Sequence, residues 1–335
     1  MVKDRLKLLL AAVAGTDQIL ILPHNDPDPD AIASALALHY LLDKRTNVKT
    51  KLAYCGLIGR AENKALVNYL NRPLEWLSKA DISPQTAVAL IDTQPCAGNN
   101  ILPDESIPTL VIDHHPRCEP TTPAKFADVR TDVGATSTIM VEYLQSAELE
   151  PDQSLATALF YGIQTDTMGL SREASSADAA AYFYLQPRID FDALIDIERA
   201  QVPAAYFKSF DTALRTAKIY ENVVFTYVGL MDYPDLVAET ADLLLRLEGS
   251  RWVIGTGAFG SDLILSVRTR SRRGGAGRLA QAMVAGQGSA GGHGSMAGGQ
   301  IPLNGQDPKR LAIQIRRRAL EYLNIAPETR GQALV

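Results

Sequence analysis

Three short apolar runs constrain this chain more than any other feature: "QILILP" (Gln18 to Pro23), "TAVALID" (Thr86 to Asp92) and "PTLVID" (Pro108 to Asp113). Each is continuously apolar and turns acidic at its C-terminal end. Runs of this kind read as strands buried on both faces, which implies parallel pairing. Around them, residues 30–44, 61–71, 133–147, 152–168 and 174–186 carry helical patterns. Strand alternating with helix predicts an α/β doubly wound domain. In open parallel sheets, ligands bind beyond the carboxyl ends of the strands, and that is where the acidic residues fall.

After residue 186 the pattern changes. Residues 187–218 read as helices joined by Pro-containing breaks, a helical connector. Beyond it come new strands, "VVFTYVGL", "SRWVIGTGAF" and "LILSVRTR", with helices over 233–247, 275–285 and 307–323. The expected fold is therefore α/β in two domains, a parallel-sheet domain over 1–186 and a smaller α/β domain over 219–335. The smaller domain carries a Gly-rich loop from Ala285 to Gln300.

Composition narrows the function classes. A hydrophobic share of 46% and a charged share of 21% over 335 residues suit ordinary globular cores. The net charge of -5 argues against indiscriminate adhesion to nucleic acid or membrane. The opening "MVKDRLKLLLAAVA" has charges at positions 3, 4, 5 and 7, so it reads as an amphipathic helix rather than a signal peptide. With no apolar run of roughly 18 residues or more, nothing is expected to span a bilayer, and the expected compartment is the cytoplasm. Cys55, Cys96 and Cys118 lack the spacing of a zinc site or a disulfide framework and read as reduced thiols.

The chemistry lies at the strand ends. His24, Asp28 and Asp30 follow the first run, Asp92 ends the second, Asp113, His114 and His115 end the third, and Asp166 lies in "YGIQTDTMGLS". Carboxylates gathered at one dehydrated sheet edge would repel by several kcal/mol. Divalent cations remove that cost, and mixed oxygen and nitrogen donors suit Mn2+ better than a thiolate-bound Zn2+. Two ions sharing an Asp would stand about 3.5 to 4 Å apart, a spacing that clamps a phosphoryl group. Pro27 and Pro29 bias Asp26 and Asp28 away from the α region and keep the carboxylates splayed. Taken alone, "DPDPD" reads as a solvated turn with a helix cap, and the His pair as a surface pair or a satisfied core pair. Against this, four of the five histidines, His24, His114, His115 and His293, fall inside such motifs, leaving His39 as structural.

In order and spacing, "HNDPDPDAIAS", "LIDTQP", "VIDHHP", "GIQTDTMGLS" and the distant "GGHGSMAGG" resemble the motif series of the DHH phosphoesterase superfamily with its C-terminal DHH-associated domain. The resemblance covers about residues 15–325, and the size is most similar to the stand-alone bacterial nano-RNase and 3'-phosphoadenosine 5'-phosphate (pAp) phosphatase group. It implies that His24, Asp28 and Asp92 hold one Mn2+ and that Asp30, Asp92, His114 and Asp166 hold a second, with Asp92 as the bridge and Mg2+ as the alternative ion. A water activated by both ions would attack phosphorus. Asp113 would orient an imidazole ligand and His115 would face the phosphate or leaving oxygen, although His115 rather than His114 being the ligand stays open.

In the second domain, the resemblance implies a substrate grip by Arg268, Arg270, Gly291, Gly292, His293 and Gly294. Domain closure would bring Arg268 and His293 over the metals. One departure stands out: Ala290 occupies the place where relatives often carry a third glycine. "GATST" (Gly134 to Thr138) is expected to cap a helix whose N–H groups face substrate or metal, and "RRR" (Arg316 to Arg318) to lie at the surface.

The implied function is a Mn2+-dependent phosphoesterase acting on nucleotides or very short single-stranded RNA or DNA, with no membrane partner and a homodimer left open. The alternatives are a linear dinucleotide or cyclic di-AMP phosphodiesterase, a polyphosphate or pyrophosphate hydrolase and, from another class, a non-catalytic nucleotide- or RNA-binding regulator. Four convergent acids argue against the regulator. A dehydrogenase is discounted because Gly-x-Gly-x-x-Gly does not follow the first strand.

Overall fold

A computed structural model describes residues 2–83, 85–95, 97–103, 106–118, 124–271 and 273–335, with the backbone alone at His293. Cys96 lies outside the described residues. The chain divides into two compact units, Met1–Ala200 and Gln201–Val335.

The first unit runs α1 (Val2–Val13), β1 (Gln18–Pro23), α2 (Pro29–Arg45), β2 (Lys49–Tyr54), α3 (Ala61–Tyr69), β3 (Glu75–Trp76), β4 (Val88–Ile91), β5 (Leu110–Asp113), β6 (Phe126–Val129), α4 (Thr136–Ser146), α5 (Gln153–Thr167), α6 (Ser176–Leu185) and α7 (Phe191–Glu198). Among the described residues its strands form one six-stranded sheet in the order β3-β2-β1-β4-β5-β6, every neighbour parallel. Successive side chains of a strand point to opposite faces, which explains the continuously apolar runs. Ile19 and Ile21 of β1 join the core cluster of α2 and α5, whereas Leu20 and Leu22 pack with Leu90, Val111, Ile82 and Leu102. Both faces are buried, so no polar alternation is left in the sequence.

The strand order reverses between β1 and β4, and a crevice opens there because the connections leave in opposite directions. The segments after these two strands begin with His24 and Asp92. The topology thus brings together two motifs that stand 68 residues apart in the chain.

The second unit holds α8 (Ala204–Thr216), β7 (Lys218–Tyr220), β8 (Val223–Leu230), α9 (Leu236–Leu244), β9 (Trp252–Phe259), β10 (Asp262–Thr269), α10 (Ala276–Val284), β11 (Ser289–His293), β12 (Met296–Pro302), α11 (Pro308–Tyr322) and β13 (Gln332–Ala333). Among the described residues its mixed sheet has the order β11-β12-β10-β9-β8-β7-β13. Leu263, Leu265 and Val267 of β10 face α10 and α11, and the alternate residue Ile264 faces the cluster that contains Val237 of α9. The boundary between the units falls inside the stretch set off as a connector: α7 packs on α3 and α5, and α8 packs on β8.

Two expectations need correction. The Gly-rich stretch is largely not a loop: β11 and β12 pair antiparallel from Ser289↔Gln300 to His293↔Met296. Glycines leave no side-chain alternation by which a strand could be read, and their small size permits the contact itself. A Cβ on Gly277 of α10 would lie 2.1 Å from the Gly292 carbonyl oxygen. Nor does "RRR" lie wholly at the surface, because Arg316 donates to Tyr220 Oη (2.9 Å) and Arg318 to the Met283 carbonyl (2.8 Å).

Candidate metal centre

The aspartates of "HNDPDPD" have separate uses. Asp26 turns away: its φ is 55°, its N–H donates to the Cys55 carbonyl and its Oδ1 accepts from Leu57 N–H (2.6 Å). The left-handed conformation, which Asp tolerates better than most residues, is an exception to the extended geometry expected before Pro27. Asp28 is extended and caps α2, its Oδ1 accepting from Ala31 N–H at 3.0 Å. Pro29 occupies the first turn, where its missing N–H costs nothing. Asp30 is fully buried, with Oδ2 and Oδ1 accepting from the N–H groups of Thr136 and Ser137, both at 2.7 Å. The N-terminus of α4 therefore faces a carboxylate of the cluster, not directly the substrate or metal expected for "GATST".

Asp92 follows β4 with φ 58°, is 1% exposed, and accepts from the Thr136 hydroxyl at 2.8 Å. Asp166 sits in the last turn of α5, which ends as Met168 turns left-handed. Gly162, one turn earlier, permits the approach of α5 to α2: a Cβ there would stand 2.7 Å from Ser137 Oγ and 3.0 Å from Asp30 Cα. Gly162→Ala is accordingly expected to cost about 1–3 kcal/mol by overpacking, read as a lower denaturant midpoint in equilibrium unfolding.

Six of the expected metal ligands converge. Two groups have one donor atom per residue lying within 4.8 Å of one another: His24 with Asp28 and Asp92, and Asp30 with His114 and Asp166. His24 Nε2 is 3.5 Å from Asp92 Oδ2 and 3.7 Å from Asp28 Oδ1. His114 Nε2 is 3.5 Å from Asp92 Oδ1 and 3.3 Å from Asp166 Oδ2. Donors sharing one ion at roughly 2.1 Å each stand about 3.0 to 3.4 Å apart, close to these spacings and longer than a good hydrogen bond. Asp92 Oδ2 and His114 Nε2 are buried with no hydrogen-bond partner among the described residues. Buried polar atoms are rarely left so. A donor set of oxygens and imidazole nitrogens with two such atoms fits divalent cations.

A third group, Asp92, His114 and His115, meets the same spacing. His115 differs from its neighbour, because its Nδ1 donates to Asp113 Oδ1 at an ordinary 2.8 Å and its side chain is 40% exposed. Asp113 thus orients His115, while its Oδ2 accepts from Gln94 Nε2 (2.6 Å). His39 bonds Thr50, away from the cluster, as its structural reading requires.

The charges behave as a crowded anionic site. Burial pushes Asp166 up to about 6, reinforced by the charge of Asp28, and it likewise raises Asp30 well above the carboxylate range with help from Asp166 and Asp92. Burial opposes charge on His24, yet pairing with Asp28 and Asp92 outweighs it and holds the imidazole well above its usual value. His114 is raised in the same way against burial by Asp166 and Asp92. Burial works against the Asp92 carboxylate too, but the three imidazoles keep it below the usual carboxylate range.

In the second unit, Arg268 projects from the α9 face of β10, and its Nε and Nη2 donate to Asp242 at 2.6 and 3.4 Å. Its Nη1 donates to Ser266 Oγ (2.8 Å). Arg270 is exposed just after β10. Gly291 and Gly292 lie in β11, Gly294 (φ 49°) lies in the turn, and the His293 side chain is outside the described residues.

Sequence reasoning missed Gln94 and Asp178 and saw Thr136 only as part of a cap. For Asp178 a signal was present, since Ser175-x-x-Asp178 is a capping box just before a helix.

Residues 18–163 match the DHH family, N-terminal domain. An uncharacterized protein of Methanocaldococcus jannaschii is 37% identical over 320 residues, which cover 92% of this chain and 65% of that protein, so the chain spans less than two-thirds of it. A probable manganese-dependent inorganic pyrophosphatase of Lactobacillus gasseri is 30% identical over 151 residues, 44% of this chain and 47% of that protein. An exopolyphosphatase-related protein from Bacteroides fragilis shares the fold, with a TM-score of 0.73 at 15% identity over 96% of both chains.

Proposed function

We infer that this chain belongs to the DHH family and is a divalent-metal-dependent phosphoesterase whose active centre is the cluster at the β1/β4 crevice. One observation carries the reading: two groups of donors converge on either side of Asp92, and two of their buried atoms lack hydrogen-bond partners among the described residues. In this reading His24, Asp28 and Asp92 would hold one cation, and Asp30, His114 and Asp166, with Asp92 also within reach, would hold a second. Mn2+ matches the donors, and the Lactobacillus relative's name carries that metal. Bound divalent ions supply Lewis-acid polarisation of a phosphoryl oxygen and lower the pKa of water.

The chain itself supplies position. Two α4 N–H groups fix both oxygens of Asp30, and the Thr136 hydroxyl fixes Asp92. Asp113, accepting from His115 Nδ1, sets that imidazole to meet a substrate oxygen through Nε2.

The substrates we propose are nucleotides such as pAp and very short single-stranded oligonucleotides. The motif series supports this choice. A second reading, inorganic pyrophosphate or polyphosphate, is favoured by the Lactobacillus pyrophosphatase. The deciding experiment measures product release in Mn2+ from pAp, a dinucleotide, a five-nucleotide RNA, cyclic di-AMP, pyrophosphate and polyphosphate. Phosphate from pAp or mononucleotides from the RNAs supports the first reading. Turnover confined to inorganic phosphates selects the second, and nucleotide binding without turnover leaves a regulator.

The centre's protons predict its response to pH. Asp166 at about 6 and the raised Asp30, His24 and His114 hold protons that an entering cation must displace. Lowering the pH populates those protons, so apparent Mn2+ affinity is expected to rise from pH 5.5 through 6 and to keep rising above the usual imidazole range as the histidines deprotonate. Calorimetric titration in buffers of different ionisation enthalpy checks this as proton release on binding. An affinity flat with pH would contradict the assignment.

A further inference from the structure

Asp178, in the first turn of α6, is fully buried, and among the described residues it forms no ion pair. A buried carboxylate without a cation must be held by several donors. Oδ2 accepts from Ser175 N–H and Ser175 Oγ, both at 2.7 Å, and from Gly134 N–H at 2.9 Å. Oδ1 accepts from Thr138 Oγ1 at 2.6 Å.

The bond from Ser175 N–H, with Asp178 N–H donating in return to Ser175 Oγ at 3.3 Å, is the reciprocal pair of a capping box and accounts for the start of α6. Two others do not serve α6. They reach back to Gly134 and Thr138, which bracket the turn that opens α4. Between these two anchors stand Thr136 and Ser137, whose N–H groups hold both oxygens of Asp30, and Thr136 also holds Asp92 through its hydroxyl. The turn is closely confined as well: a Cβ on Gly134 would lie 2.7 Å from Thr167 Cγ2 and 3.3 Å from Asp178 Oδ2. Thr167 adjoins Asp166, so α4, α5 and α6 meet at this point.

We propose that Asp178 is a positioning residue of the metal centre. By tethering both ends of the Gly134–Thr138 turn, it sets the direction of the donors that aim Asp30 and Asp92, and so governs divalent-cation affinity without touching the cation. The proposal rests on the metal-centre reading above. A purely structural Asp178 would cap α6 and affect stability alone.

The test compares Mn2+ binding, read from the electron paramagnetic resonance signal of the free ion and hence independent of turnover, in the full-length wild type and three variants. Asp178→Asn keeps the shape but presents an amide to donors, and it is expected to weaken Mn2+ binding by about 10- to 100-fold while circular dichroism shows a folded protein. Thr138→Val removes one tether and is expected to weaken binding less. Ser175→Ala removes the α6 cap and one hydroxyl donor to Asp178 but leaves both bonds from Asp178 to the Gly134–Thr138 turn, and is expected to lower the melting temperature while leaving Mn2+ affinity unchanged. A folded Asp178→Asn protein that binds Mn2+ as the wild type does would overturn the proposal. So would a Ser175→Ala protein that loses as much affinity as Asp178→Asn. Should Asp178→Asn not fold, the contrast between Thr138→Val and Ser175→Ala decides. A wild type that binds no Mn2+ would instead overturn the metal-centre reading and this proposal with it.

Discussion

Asp92→Asn is expected to reduce metal-dependent hydrolysis by about a thousandfold or more, equivalent to roughly 4 kcal/mol of lost transition-state stabilisation, with little change in melting temperature. Asp92 lies within reach of both donor groups: its Oδ2 is 3.5 Å from His24 Nε2 and its Oδ1 3.5 Å from His114 Nε2. Removing its charge weakens both. Asn is a better choice than Ala because the backbone at position 92 has φ 58°, a conformation that Asn and Asp tolerate and that costs Ala roughly 1–2 kcal/mol. The substitution therefore isolates the charge from the fold. The check is kcat/KM on the best substrate of the panel together with Mn2+ binding. Undiminished turnover would remove the centre from the mechanism.

The adjacent histidines are expected to part company. His114→Ala should lose Mn2+ affinity by two orders of magnitude or more, about 2.7 kcal/mol, because its Nε2 lies 3.3 Å from Asp166 and 3.5 Å from Asp92 without a hydrogen-bond partner among the described residues. His115→Ala should retain Mn2+ binding and still lose turnover, since its Nδ1 is engaged by Asp113 and its ring is partly exposed. Metal titration and single-turnover rates on both variants separate the two roles. Equal loss of Mn2+ affinity in both would assign His115 to the ligand shell through the Asp92, His114 and His115 group.

Legibility in the sequence followed the range of the interactions. The helix over 30–44 could be read because its cap, its proline and its apolar face all lie within one short segment, and α2 spans Pro29–Arg45. The strand "QILILP" could be read because burial on both faces leaves an unbroken apolar run. The β11–β12 hairpin could not, because glycine carries no side chain to show a period, and its close approach to α10 depends on the packing of Gly277 against Gly292. The partner of Arg268 was equally hidden. Which face of β10 the arginine occupies, and that Asp242 of α9 waits there, depends on an element 26 residues away.

The donor inventory was legible in the chain before it folds: which carboxylates and imidazoles stand at strand ends, and that so many like charges at one edge call for cations. So was the alternation of strand and helix that makes a parallel sheet with a crevice. How those donors are sorted followed from packing. It turned Asp26 away to Leu57, locked Asp30 on the N–H groups of α4, gave His115 rather than His114 to Asp113, and brought Asp178 under the turn that aims two carboxylates. Residue type and strand order are local properties of the chain, whereas the direction of a side chain is set by hydrogen bonds to residues as much as 107 positions away.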